Sequence, residues 1–311
     1  MTSAVPLPRS VTARVPAKVN LELNVGARRT DGFHDLSTVY MAVGVYDEVS
    51  VTLAPDWEVV VTGPYADRVP TDDTNLALVA AKALAEAADV TEAVSVRIHK
   101  EIPVAGGMAG GSADAAATLV ACDHLWAAGV GREELAEMAA ALGSDVPFAL
   151  AGGIAIGSGR GEQLAPVLAR GTFHWVFAVS EDGLSTPTVY AECDRLRGDA
   201  AVPVPEPSAA MMTALRSGDA EALGRALRND LQDAAISLQP GLREVLDAGQ
   251  EFGALGSIVS GSGPTVAFLT ASAEAALDLC VSLAASGVAG EVKRAKAPVH
   301  GATVMPGPSR V

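Results

Sequence analysis

The sequence predicts a mixed fold of strands and helices, with a sheet laid down first and a helical layer added later. Three observations carry that expectation. Alternating, valine-rich runs fill residues 11–62, an alanine-rich helical stretch follows the clustered glycines at 106–111, and further helical segments succeed one another between 208 and 252. The 311 residues suffice for one large or two modest domains, and 49% hydrophobic content supports real cores.

Taken in order, residues 1–10 read as a loose tail. The alternation TARVPAKVNLELNV from Val11 predicts a strand interrupted near Pro16 and resumed at Leu21, Leu23 and Val25. Val39–Val45, Glu48–Leu53 and Glu58–Thr62 are further valine-rich strand candidates, with a turn signal at Thr30–Leu36. Asp73–Ala88 opens on capping residues and continues with helix formers, and Val94–His99 reads as a strand. Helices are predicted over Ala113–Ala128 and Arg132–Leu142, then a helix start at Ser144–Pro147 and a strand with a glycine turn over Gly152–Leu164. His174–Ser180 is an apolar strand, and Ala200–Pro207 a proline-rich loop. Ser208–Leu215, Asp219–Leu227 and Pro240–Phe252 form a helical layer with Met211 and Met212 as core filler. Ser257–Leu269 gives two strands around a glycine loop, followed by a helix at 273–285, a strand near Glu291–Ala295 and a polar tail from Met305.

Composition narrows the function. A net charge of −15 without a basic run argues against a nucleic-acid surface or an anionic membrane as partner. The N-terminus has no apolar core of a leader, and no 18-residue uncharged apolar run occurs, so a cytoplasmic protein is expected. The three cysteines are far apart and lack C-x-x-C spacing, which indicates neither a disulfide framework nor a zinc site.

The stretch Ile102–Ala117, IPVAGGMAGGSADAAA, carries the chemistry. Glycines let backbone N–H groups turn toward a ligand, and the first turn of the following helix adds unpaired donors and a positive dipole end. Together they make a cradle for phosphate. A Walker A loop needs a lysine after its last glycine, but Ser112 follows Gly111; a dinucleotide fingerprint needs a third-place glycine where Met108 or Ala109 stands. A plain connector would not join a strand directly to a strong helix. Elsewhere the residues alone leave alternatives open. Lys18 and Lys100 read as solvated lysines, His34 as a satisfied polar residue, Asp145 as a helix cap and Tyr190 as a helix-start tyrosine.

The wording PVAGGMAGGSADAA resembles the second signature of the GHMP kinases, the superfamily of galactokinase, homoserine kinase, mevalonate kinase and phosphomevalonate kinase. PAKVN at 16–20, TDGFH at 30–34, GSDVPF at 143–148, GGIAIGSGRGE at 152–162, LSTPTVY at 184–190, NDL at 229–231 and SGSGP at 260–264 extend the resemblance through nearly the whole chain. Within the family, the pattern is most similar to the branch acting on diphosphocytidyl methylerythritol. The resemblance implies two α+β domains: an N-terminal βαβ phosphate-binding domain over 1–160 and a C-terminal ferredoxin-like domain over 161–311. It implies ATP and Mg²⁺ as cofactors, with no metal-ligating side chain singled out.

Lys18 and Asp145 take catalytic positions in that family. Asn75 and Lys100 fall near the adenine, and Pro103, Val104, Ala105, Gly106, Gly107, Met108, Ala109, Gly110, Gly111 and Ser112 fall around the phosphates. Asn20, Phe33, His34 and Tyr190 fall at the small-molecule substrate, with Phe33 and Tyr190 on the cytosine; Phe33 stands where many members carry tyrosine. The glycine loop at 260–264 is expected to close the site opposite the cradle, and the protein to act as a monomer or weak homodimer. Two rival readings are a GHMP kinase for a small alcohol without a nucleobase and a non-catalytic nucleotide sensor. The T-D-G-F-H run with Tyr190 argues against the first, and the joint presence of Lys18 and Asp145 against the second.

Overall fold

The computed structural model describes residues 10–306; of the tails expected at 1–10 and from Met305, residues 1–9 and 307–311 lie outside it, and Ser10 already belongs to the first strand. The first half comprises β1 (Ser10–Arg28), β2 (His34–Leu53), β3 (Glu58–Thr62), α1 (Leu76–Ala87), β4 (Val94–His99), α2 (Gly110–Trp126), α3 (Arg132–Leu142), α4 (Val146–Ala151), β5 (Ile154–Ser158) and β6 (Gln163–Pro166). The second comprises β7 (Phe173–Val179), α5 (Thr186–Arg197), α6 (Ala209–Ser217), α7 (Ala220–Ala226), β8 (Arg228–Asn229), α8 (Gln232–Leu238), α9 (Gly241–Glu251), β9 (Gly256–Val259), β10 (Val266–Thr270), α10 (Ala273–Ser286), β11 (Glu291–Ala297) and β12 (Thr303–Val304).

The larger sheet runs β12-β1-β2-β4-β3, with β5 and then β6 added beside β2, and β8 beside β1. Its backbone is the long antiparallel pair β1–β2. Pro16 does not break β1 as expected: a register shift between Pro16 and Ala17 absorbs the missing N–H as a bulge, and pairing resumes at once. The two strands expected at 39–45 and 48–53 are likewise one strand. α1 and α2 pack together, and α2 lies on β1 and β2, burying its alanines among the sheet valines. That face needs no large side chain, because small residues let helix and sheet backbones approach.

The smaller sheet runs β11-β7-β10-β9, every pair antiparallel. Read as β7, helices, β9, β10, α10 and β11, this is the β-α-β-β-α-β ferredoxin-like order the resemblance implies. β7 is buried on both faces. Phe173, Trp175 and Phe177 enter the large core, while Val176 and Ala178 enter a second core with Phe268, Leu246 and Leu279. The period-two alternation of one strand therefore fastens the smaller sheet to the larger. Residues 160 and 161 fall in the turn of the β5–β6 hairpin, and β8 and β12 return from the second half to the first sheet. Helix α8 was not legible in the sequence: it is short, and its N-cap Leu231 makes no side-chain capping bond.

Candidate active site

The glycine loop bridges β4 and α2 through an unusual backbone. Ala105, Gly107 and Ala109 all have positive φ, at 54°, 74° and 60°, and two of the three are not glycine. Left-handed alanine is disfavoured, and such strain concentrates at ligand-binding loops. Ala109 is the N-cap of α2 and supplies no side-chain cap, so the amides of the first turn are left for a ligand to satisfy.

The loop at 260–264 backs this cradle directly. Ser260 Oγ donates to the Gly107 carbonyl at 3.0 Å, and Asn229 Nδ2 donates to the carbonyls of Val259 and Gly261 at 2.8 and 2.7 Å. A Cβ on Gly107 would overlap the Ser260 carbonyl, and one on Gly106 would lie 2.8 Å from Thr265 Oγ1. These glycines are required by close approach of two loops, one from each half of the chain.

Lys18 stands on β1 at the cradle's edge, its amide donating to the Met108 carbonyl at 3.3 Å. Its ammonium donates to Asn20 Oδ1 at 2.6 Å and lies 3.7 Å from Asp145 Oδ2. Asn20 is itself oriented by donating to Thr38 Oγ1 at 2.7 Å, and Thr38 donates to the Glu22 carbonyl at 2.9 Å. Burial pushes the Lys18 pKa below its ordinary value, with the Asp145 carboxylate opposing. Asp145 occupies the N-cap position of α4 but makes no capping bond. Its Oδ1 instead accepts from the Tyr40 hydroxyl at 3.0 Å. Geometry thus decides against the capping role, leaving a carboxylate held by a phenol and an ammonium with its side chain 29% exposed.

The other end of the site is aromatic. His34 is buried, with Nε2 2.9 Å from Asp194 Oδ1 and its ring 5.1 Å from that of Tyr190. The carboxylate fixes Nε2 as the protonated nitrogen, which leaves Nδ1 as an acceptor in the neutral ring. Tyr190 lies early in α5; burial raises its hydroxyl pKa, and the Asp145 charge adds to the effect. Phe33 is 52% exposed, its turn set by its amide donating to Asp31 Oδ1 at 3.0 Å, and the Arg160 guanidinium lies 5.1 Å from its ring centroid.

Comparison with known proteins decides the family. The profile of the GHMP kinases N terminal domain matches residues 75–153, and that of the GHMP kinases C terminal region matches 211–289. A 4-diphosphocytidyl-2-C-methyl-D-erythritol kinase of Streptomyces avermitilis is 54% identical over 296 residues, 95% of this chain and 100% of the relative. The enzyme of that name from Thermobifida fusca is 56% identical over 306 residues, covering 96% and 99%. This chain belongs to the GHMP kinases. A crystal structure of a 4-(cytidine 5'-diphospho)-2C-methyl-D-erythritol kinase superposes with a TM-score of 0.74 at 32% identity, covering 92% of this chain and 99% of the other. A homoserine kinase from Cytophaga hutchinsonii, with a TM-score of 0.72 at 18% identity, covers 98% and 100% and shares the fold.

Within this GHMP kinase, three of the residues expected around the nucleotide have side chains engaged inside the protein. Lys100 is 1% exposed, and its ammonium is gripped by Asp47 Oδ2 and Asp114 Oδ2, each at 2.6 Å. Asp47 Oδ1 in turn accepts from the amides of Glu101 and Ile102 at 2.7 and 2.8 Å. Lys100 therefore ties the start of the cradle loop to β2 and α2. Asn75 is buried as the N-cap of α1, its Oδ1 accepting from the Ala77 amide at 2.9 Å and its Nδ2 donating to the Pro70 carbonyl at 2.7 Å. Both ends of its amide are occupied by backbone. The Met108 side chain is buried in the core, so that residue can offer a ligand only its backbone.

The structure gathers Lys18, Asn20 and Asp145 beside the cradle and sets His34 beside Tyr190. Sequence reading missed Tyr40, Thr38, Asp47, Asp114 and Asp194. Tyr40 sits in an apolar alternation, where an aromatic reads as core, and two buried acids sharing one lysine leave no spacing signal because they come from β2 and α2.

Proposed function

We propose that this chain transfers the γ-phosphoryl group of ATP to the 2-hydroxyl of 4-diphosphocytidyl-2-C-methyl-D-erythritol, giving the 2-phosphate and ADP in the non-mevalonate route to isoprenoid precursors. The observation that carries the reading is Asp145, which caps nothing and is held by Lys18 and Tyr40 beside an uncapped helix N-terminus. The relatives at 54% and 56% identity over nearly their full length bear that activity in their names. The acceptor end fits a pyrimidine: Nδ1 of His34 can accept from the exocyclic amine of cytosine, and the exposed Phe33 ring offers a stacking face.

Phosphoryl transfer asks a protein for alignment and charge neutralisation more than for covalent work. The amides of Gly106 to Ser112 hold the β- and γ-phosphates. Asp145 accepts the proton of the acceptor hydroxyl as its oxygen bonds to phosphorus and the bond to the ADP oxygen breaks. Lys18 keeps Asp145 ionised and offsets the growing negative charge.

Among the described residues no three His, Cys, Asp or Glu side chains gather as a metal cage. Mg²⁺, where it serves a kinase, is commonly carried by substrate phosphates with few protein ligands. The Ser112 hydroxyl at the first turn of α2 would be a group able to help hold the ion, which would supply charge neutralisation on the phosphates. No helix among the described residues is long and apolar enough to cross a membrane. A cytoplasmic site of action follows from the need for ATP.

The test is a panel of the diphosphocytidyl alcohol, homoserine and mevalonate, followed by ADP release and by phosphorus NMR of the product. Only the first should be phosphorylated, at its 2-hydroxyl; turnover of either other alcohol, or no ATP consumption, overturns the reading. Phe33→Ala should raise KM for the cytidyl substrate about 10-fold or more while leaving KM for ATP unchanged, as loss of a base-stacking contact of about 1–3 kcal/mol requires. Equal losses for both substrates would make the ring structural.

A further inference from the structure

We propose that Tyr40 is a positioning residue for Asp145, held in place by the glycine turn between β5 and β6. The proposal rests on Asp145 being the base named above. The Tyr40 hydroxyl donates to Asp145 Oδ1 at 3.0 Å, while Lys18 approaches Oδ2. One oxygen is thus held by a neutral donor and the other by a charge, which fixes the plane of the carboxylate as well as its position. Without the phenol, the carboxyl could rotate about its χ2, a broad and weakly restrained torsion.

Tyr40 is built to stay where it is. It lies on β2, pairs with Asn20 on β1 and Ala155 on β5, and stacks on Phe148 with ring centroids 4.8 Å apart. Phe148 belongs to α4, the helix that Asp145 precedes, so the phenol and the carboxylate are referenced to one local frame. The opposite side is closed by the β5–β6 hairpin. A Cβ on Gly157 would lie 2.6 Å from Tyr40 Cε2, and one on Gly161 would overlap the Tyr40 hydroxyl. Gly161 also has φ +107°, which L side chains rarely adopt. The GSGRGE run, which has no place in the phosphate cradle, thereby acquires a purpose: its glycines leave room for the phenol.

The charged and titratable neighbours are consistent with a permanent donor. Burial raises the Tyr40 pKa well above its ordinary value, and Asp145, Tyr190 and Glu162 add to the shift, so the hydroxyl remains protonated wherever the enzyme works. Tyr40 therefore orients the base and takes no proton itself. This differs from the Lys18 contact, whose charge acts on the reacting phosphoryl group as well.

The test is a double-mutant cycle between Tyr40→Phe and Asp145→Asn, with kcat and both KM values measured and folding checked by thermal melting. Y40F keeps the ring and its stack on Phe148 and removes only the donor. Its kcat should fall roughly 10- to 100-fold, the range expected for a hydrogen bond to a charged group, with both KM values retained. In the D145N background the same substitution should change kcat by less than about twofold, because groups acting as a unit are not additive. A Y40F enzyme with unchanged kcat, an equal loss in both backgrounds, a rise in both KM values, or a Y40F protein that does not fold would each overturn the proposal. High activity in D145N alone would instead sink the assignment of the base, so the two failures are distinguishable.

Discussion

Lys18 and Lys100 both meet aspartate beside the glycine loop, but the first ammonium stands 3.7 Å from a partly exposed carboxylate while the second is gripped by two sealed carboxylates at 2.6 Å each. The same residue types do opposite work. Burying charge is costly unless geometry and hydrogen bonding compensate, so a saturated interior cluster holds one arrangement and breaks badly when a member is lost. Lys100, Asp47 and Asp114 are arranged that way, tying β2, the start of the cradle loop and α2 together. A lysine and an acid that must meet incoming phosphate and hydroxyl cannot be saturated by one another.

The largest expected effect falls on the sealed cluster. Lys100→Met leaves two buried acids without their cation, and breaking such a cluster is expected to cost about 3–5 kcal/mol of stability, read as a lower urea midpoint. At the open pair the currency is turnover. Asp145→Asn should lower kcat by about 10²-fold or more while shifting stability by no more than about 0.5 kcal/mol. The contrast fails if K100M melts like the parent protein or if D145N is the variant that unfolds.

The open pair was singled out in the sequence through the family resemblance and the sealed cluster was not singled out at all, for physical reasons. Functional residues of the open site lie in short contiguous patterns, because a loop or strand that meets ligand must present its groups together; P-A-K-V-N, G-S-D-V-P-F and the glycine loop are of that kind. The cluster joins positions 47, 100 and 114 through folding alone. Asp47 lies in a strand and Asp114 in a helix, each looking like an ordinary solvated acid. Asn75, one residue before α1, was legible as a cap from its local position, and the structure shows that cap. The ferredoxin-like half was readable as strands and helices, but the two-sided burial of β7 required tertiary context, since a continuous apolar run does not say what covers each face.

Asn75 supplies a smaller test of the same distinction between support and contact. Asn75→Ala removes the acceptor for the Ala77 amide and should cost about 1 kcal/mol of stability, as loss of an N-cap usually does. KM for ATP should remain near that of the parent. A rise in KM without a loss of stability would return Asn75 to the nucleotide.

The smallest effect is expected at Asp114, and its sign is the informative part. Burial raises the Asp114 pKa well above its ordinary 3.8; the Lys100 charge opposes that shift and the nearby Asp47 charge reinforces it. The folded protein therefore retains a proton that the unfolded chain releases, and Asp114 makes stability decline as pH rises from the ordinary carboxylate value toward the raised one. Asp114→Asn keeps the size of the side chain and an oxygen for Lys100 but cannot titrate. It should differ little from the parent in acid, where Asp114 is protonated in both states, and become relatively more stable as pH rises. Urea midpoints of the two proteins across that range measure the difference directly. If D114N instead loses stability relative to the parent as pH rises, Asp114 is ionised in the folded protein. Lys100 then balances two full negative charges, and the cradle is anchored by an anionic cluster rather than a neutral one.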